Sequence, residues 1–139
     1  MFMYDPELTK PMREELVNSG VQELRTLEEV DKALSNSNDT FLVMVNSVCG
    51  CGAGTARPGL ILSLNNTKIP DKLFTVFAGV DREATERART YFKNYYPSSP
   101  SMFLFKNGQL VFALERHNIE GKSPEQVSEL LNEAYNNYC

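Results

Sequence analysis

The most apolar run in the chain, Phe41-Leu42-Val43-Met44-Val45, is short, β-prone and bounded by polar residues, as a buried central strand would be. It leads directly into Asn46-Ser47-Val48-Cys49-Gly50-Cys51-Gly52-Ala53-Gly54-Thr55-Ala56-Arg57-Pro58, a small-residue, turn-forming stretch. Cys49 and Cys51 therefore fall where a strand ends and a helix begins. Unpaired backbone N–H groups at a helix start favour a thiolate over a thiol, so this junction is a place for a reactive sulfur.

The one-residue spacing adds a second constraint. Residues i and i+2 of a helix do not face each other, and in an extended strand they lie slightly too far apart for a disulfide. A bridge between Cys49 and Cys51 needs a tight turn, which Gly50 permits. A ring closed over a single residue is expected to be strained and easily reduced, which points to a catalytic bridge. Read blandly, both cysteines are small, half-buried packing residues.

Length and composition narrow the classes. A chain of 139 residues with 42% hydrophobic residues predicts one domain, 1–139, with a proper core. Fourteen basic against 18 acidic residues give a net charge of -4, which disfavours nucleic acid or an anionic membrane as the main partner. No apolar run has the length of a transmembrane helix, and the start Met1-Phe2-Met3-Tyr4-Asp5-Pro6-Glu7 lacks the order of a signal peptide, so the expected location is the cytoplasm. In that compartment three cysteines with one close pair point to redox catalysis or metal binding rather than to a disulfide framework.

Helical spacing over Asp5 to Asn18 predicts a first helix, kinked or broken at Pro11, and Gly20 to Leu24 reads as a short edge strand. Thr26 and Glu29 form a capping box for a second helix that ends in the loop Ser35 to Asp39. Helix is predicted from Ala56 to Leu64 with Pro58 in its first turn, strand from Leu73 to Ala78, and a charged helix with a solvated face from Arg82 to Phe92. The turn Tyr95 to Ser101 leads into two apolar runs joined by Asn107-Gly108, a strong hairpin signal. A loop carrying Arg116, His117 and Gly121 precedes a last helix capped by Ser123. Tyr95, Tyr96, Phe103, Phe105 and Phe112 read as core or its margin. The order implies an α/β mixed sheet with helices on both faces and an N-terminal helical extension.

Thiols at the end of the first long strand, with an X-Pro step just before a hairpin, make this order similar to the thioredoxin fold. The motif Asn46 to Cys51, the trailing Ala56-Arg57-Pro58, the stretch Pro97 to Ser101, Arg116-His117 with Ile119-Glu120-Gly121, and the terminal Cys139 together resemble the bacilliredoxins, thioredoxin-like proteins of bacteria that make the thiol bacillithiol. That resemblance implies a thiol-disulfide oxidoreductase with no bound cofactor and bacillithiol as co-substrate. Its partners would be bacillithiolated client proteins, and its oligomeric state a monomer or weak homodimer. Cys49 would attack and take up bacillithiol, and Cys51, or a second bacillithiol, would resolve the adduct. Pro100 would match the family's cis-proline, leaving the backbone of Ser99 free to pair with substrate. The resemblance departs at Gly52, where relatives carry alanine; a more flexible helix start there would weaken the hold on Cys49.

Other residues stay open. Arg57 is a candidate to reach Cys49, to bind bacillithiol's carboxylates, or to be an ordinary surface arginine. His117, the lone histidine, reads first as a solvated side chain, and Cys139 as an incidental thiol at a frayed end, with resolution of a Cys49 adduct or a bridge between two chains as alternatives. The competing function is soft-metal binding, with Cys49, Cys51, Cys139 and His117 as zinc or copper ligands. The spacing opposes it, because zinc-binding cysteine pairs usually leave two to four residues between them. A redox-inert interaction module is a third class, opposed by the intact thiol pair.

Overall fold

The computed structural model describes residues 4–35 and 37–139. The reading of residues 1–3 as lacking a leader, and the middle of the expected loop at Asn36, lie outside these residues.

The described chain runs α1 (Pro6–Val17), β1 (Gln22–Glu23), α2 (Leu27–Leu34), β2 (Phe41–Asn46), a π-helical turn (Gly52–Ala56), α3 (Arg57–Ser63), β3 (Lys72–Phe77), α4 (Arg82–Arg89) with a 3-10 extension (Thr90–Phe92), β4 (Ser101–Lys106), β5 (Gln109–Leu114), α5 (Arg116–Ile119) and α6 (Pro124–Tyr138). The strands form one sheet in the order β1-β3-β2-β4-β5. The first three are parallel, β4 runs antiparallel to β2, and β5 antiparallel to β4.

β2 is the central strand and is buried along its whole length. Successive side chains of a strand point to opposite faces. Leu42 and Met44 accordingly enter the core beneath α1, α3 and α6, while Phe41, Val43 and Val45 enter the core beneath α2 and α4. Aromatic stacking closes the second core, with Phe92 on Phe103 at 3.8 Å and Phe41 on Phe105 at 4.7 Å between ring centroids.

Local chemistry sets most boundaries. Thr26 and Glu29 form the reciprocal cap of α2, and Ser123 and Gln126 that of α6. Asn107 (φ 52) and Gly108 (φ 76) both adopt the left-handed region, as a two-residue hairpin turn between twisted strands requires. The helix that carries Cys51 begins at Gly50, and its π turn is closed by the Arg57 N–H bonding to the Gly52 carbonyl. Pro58 has no N–H for the Gly54 carbonyl and its ring would crowd that oxygen, so a widened turn accommodates it.

Three expectations need correction. Of the kink or break expected at Pro11, the break does not occur: α1 is a single helix through that residue. The segment after β5 is a one-turn helix rather than a loop, because the Asn118 side chain accepts from the Glu115 N–H at 2.9 Å and the Asn118 N–H bonds back to the Glu115 carbonyl. Tyr96 is 88% exposed, whereas Tyr95 packs edge-on against Phe103.

α3 meets α6 at Gly59. A Cβ there would lie 2.7 Å from Val127 Cγ1 and 3.2 Å from the Pro124 carbonyl oxygen, so only glycine allows this approach. Gly59→Ala is expected to destabilise the fold by about 1–3 kcal/mol, since the helices must separate to admit a methyl. Urea unfolding should show a lower midpoint at unchanged slope; an unchanged midpoint would mean the helices are free to move apart.

Candidate active site

The carboxyl end of β2 carries the site, and a buried guanidinium shapes it. Arg57 is 2% exposed. Its Nη1 donates to Asn46 Oδ1 at 2.9 Å and to the Ser47 carbonyl at 2.8 Å, and its Nε donates to Glu15 Oε2 of α1 at 2.9 Å. Asn46 Oδ1 also accepts from the Ser47 N–H at 2.9 Å. These bonds fix Ser47 as the chain leaves the sheet. Its hydroxyl then lies 3.1 Å from Cys49 Sγ.

Gly52 belongs to the same packing. A Cβ on it would meet the Ser47 carbonyl oxygen at 2.7 Å and Arg57 Nη1 at 3.0 Å. The glycine expected to loosen the helix start instead lets that start press against Ser47, with the Gly52 N–H bonded to the Cys49 carbonyl at 3.0 Å.

The two thiols are free, both half-buried, and shifted in opposite directions. Burial pushes the Cys49 thiol up, but the Ser47 hydroxyl, the backbone N–H groups of Gly52 and Cys51, and the Arg116 guanidinium together bring it below the ordinary thiol value. The Cys51 thiol is held above that value by desolvation, by the neighbouring Cys49 and by Glu120, against a smaller opposing effect of Arg116. Between the folded and unfolded values of Cys49 the unfolded chain binds more protons, so this group stabilises the fold above the unfolded value and loses that contribution as pH falls through the folded one.

Arg116 and Glu120 are the residues the sequence reading left without a role. They pair one helical turn apart at the start of α5 and after its end. The Arg116 N–H bonds to the Ser98 hydroxyl at 3.3 Å, and its Nη1 reaches the Ser99 carbonyl at 3.4 Å. An Arg-x-x-x-Glu spacing was visible in the sequence, but its approach to the cysteines depends on β5 returning the chain, alongside β4, to the carboxyl end of β2. The Ser99–Pro100 peptide is cis. Ser99, Arg116, Ser47 and Cys49 line a cavity of about 340 Å³ together with Tyr4, Gly79 and Arg89.

The remaining candidates lie elsewhere. Arg57 is turned away from solvent and committed to Asn46, Ser47 and Glu15, so its guanidinium braces the turn from beneath instead of facing the cavity. Cys139 sits beside Thr40 and Asp71, at the amino end of β2, roughly 20 Å along the strand from the Cys49 end. Intramolecular resolution of a Cys49 adduct by Cys139 is out of reach in this fold. His117 is largely exposed and lies 3.8 Å from Glu115. Cys49, Cys51, Cys139 and His117 therefore do not form a four-ligand set, and no cluster of three metal-ligating side chains occurs among the described residues. Among those residues no helix is long and apolar enough to cross a membrane.

Two variants test this geometry. Ser47→Ala should move the pH midpoint of Cys49 alkylation by iodoacetamide upward, with Cys51 still reacting at higher pH, as read by mass spectrometry of the modified peptide; an unmoved midpoint would remove the hydroxyl from the account. Arg57→Lys loses the planar fork that joins three acceptors, and should cost about 1–3 kcal/mol of stability in urea.

Comparison with known proteins agrees with this arrangement. A family profile described as "Disulphide isomerase" matches residues 4–139. A bacilliredoxin of Halalkalibacterium halodurans is 51% identical over 99% of this chain and 93% of its own length, and a bacilliredoxin of Cytophaga hutchinsonii is 49% identical over 96% and 98%. Among solved structures, the thioredoxin-like domain of Arabidopsis NCP superposes with a TM-score of 0.61 at 15% identity, covering 86% of this chain and 79% of that one. Thioredoxin O2 from Arabidopsis thaliana superposes at 0.55 and 16% identity, covering 85% and 96%. With a thioredoxin fold, a close pair of free thiols at the end of its central strand, and this identity over nearly its full length, the chain belongs to the bacilliredoxin family of thiol-disulfide oxidoreductases.

Proposed function

We propose that the chain removes bacillithiol from protein cysteines, with Cys49 as the attacking thiol and Cys51 as the resolving one. What carries this reading is the opposite shift of two thiols one residue apart, Cys49 toward the thiolate and Cys51 toward the thiol. In the first step the Cys49 thiolate attacks the bacillithiol sulfur of a client mixed disulfide. A bond forms between Cys49 and bacillithiol, the client's sulfur–bacillithiol bond breaks, and the client leaves as a thiolate. In the second step Cys51 loses its proton and attacks Cys49 Sγ, bacillithiol leaves as a thiolate, and the Cys49–Cys51 disulfide holds the two electrons' worth of oxidation. Two external thiol equivalents return it to the dithiol. Alternatively a second bacillithiol attacks the adduct, leaving as bacillithiol disulfide and restoring the Cys49 thiolate directly.

The order of roles follows from acidity. Attack needs the thiolate, which the fold favours at Cys49 and disfavours at Cys51. The less acidic thiol competes less for the client. Ser99 and Pro100 would border the incoming disulfide, with Ser99 on the wall of the Cys49 cavity. Arg57 would serve through Ser47 as a positioning residue.

Mass spectrometry of Cys51→Ala protein after incubation with a bacillithiol-modified client, with a glutathione-modified client in parallel, tests the scheme. Bacillithiol trapped on Cys49 with the client released reduced, and little reaction with the glutathione client, is the expected result. Absence of an adduct on Cys49 from either client would refute the reductase reading; equal trapping of both would refute its bacillithiol specificity.

A further inference from the structure

Arg89 is the last residue of α4, a helix whose charges otherwise face solvent. It is half-buried, and burial pulls its pKa down with only Glu86 opposing. A guanidinium stays charged even so. The other arginines that approach the protein interior or the site have acceptors: Arg13 has Glu23 and Asp81, Arg57 has Glu15, and Arg116 has Glu120. Among the described residues the Arg89 guanidinium makes neither an ion pair nor a hydrogen bond. It lines the same cavity as Cys49 and Arg116.

We propose that Arg89, with Arg116, forms a receptor for the carboxylate of the small thiol that is exchanged at Cys49, a statement that rests on the exchange reading above. A guanidinium fork matches a carboxylate through two parallel N–H bonds, and a partly desolvated one gains more from such a partner than an exposed one. The cavity, at about 340 Å³, is of a size that holds a small molecule and not a folded client. The carboxylate therefore comes from the small thiol, and the client surface remains outside. Arg116 touches both functions, since it also favours the Cys49 thiolate. Arg89 is not among the main groups that set the Cys49 acidity, so its contribution is chiefly binding. It makes the site selective for acidic small thiols over neutral or basic ones of equal sulfur chemistry.

The test measures the rate at which Cys49 of the full chain is converted to a mixed disulfide by 3,3′-dithiodipropionate, a dianion, by neutral 2-hydroxyethyl disulfide and by dicationic cystamine. The wild type should favour the dianion over the neutral probe, and raised salt should erode that preference. Arg89→Gln should slow the dianion by about five- to tenfold with the neutral probe unchanged, and Arg89→Lys should recover part of the loss. The pH midpoint of Cys49 alkylation should stay where it is in Arg89→Gln, while Arg116→Gln moves it upward. Equal wild-type rates with all three probes, or an Arg89→Gln loss that is the same for each, would overturn the proposal while leaving the exchange reading intact. So would a mixed disulfide with an acidic peptide that depends on Arg89 more than the small dianion does, since it would assign the arginine to the client. A Cys49 inert to every probe would remove the exchange reading, and this proposal with it.

Discussion

A guanidinium buried to 2% exposure carries a desolvation cost of several kcal/mol unless its donors are met, and in this fold the acceptors that meet those of Arg57 are the elements of the site. Asn46 ends the central strand, the Ser47 carbonyl begins the turn, and Glu15 comes from the N-terminal helix. Satisfying one cation thus draws three segments together and leaves the Ser47 hydroxyl beside Cys49. The N-terminal helix is part of the active-site foundation through Glu15, and through the Met12 carbonyl, which accepts from Asn46 Nδ2 at 3.4 Å. Gly52 completes the arrangement by offering no side chain where the Ser47 carbonyl and Arg57 must fit.

Above that foundation, one ion pair adds to the difference that Ser47, backbone N–H groups and desolvation make between the two thiols. Arg116 and Glu120 lie a helical turn apart, and the positive member favours the Cys49 thiolate while the negative member opposes ionisation of Cys51. Neutral backbone groups act in the same direction, since the N–H groups at the helix start point at Cys49 and not at Cys51. The difference in acidity between the two sulfurs is therefore built into the fold around a motif that is nearly symmetric in sequence. What each cysteine becomes depends on which side of Gly50 faces the helix end and the α5 arginine.

The fold was legible where local signals are strong. The apolar run at 41–45, the Asn107-Gly108 turn, and the Thr26 and Ser123 caps each specify their element without help from the rest of the chain. Pro11 misled because a proline one and a half turns into a helix loses one backbone bond, and the burial of Thr9, Arg13 and Leu16 outweighs that loss. The one-turn α5 was missed because its cap is a reciprocal pair of Glu115 and Asn118 rather than the Ser or Thr with Glu or Gln that marks a helix start in a sequence. In the site, the cysteine pair was plain from spacing. The destination of Arg57 was not, since burial of a cation depends on acceptors from α1, 42 positions away at Glu15, and spacing carries no information about them. Arg116 and Arg89 were hidden for the same reason, as they reach the cavity only once the hairpin and α4 have packed against the sheet.

Net charge illustrates how a sum conceals a field. A balance of -4 argues against large anionic surfaces as partners, and it is silent about a cavity a few side chains wide. The fold pairs its buried cations Arg13 and Arg57 with carboxylates, so those charges are neutralised locally and contribute to packing. Arg89 lacks such a partner among the described residues, and Arg116 keeps donors beyond the one that meets Glu120. Both line the cavity of Cys49. A chain of net negative charge thus sets two cations around the cavity of one thiol: Arg116 favours the Cys49 thiolate, and Arg89, half-buried, is less screened than it would be on an open surface.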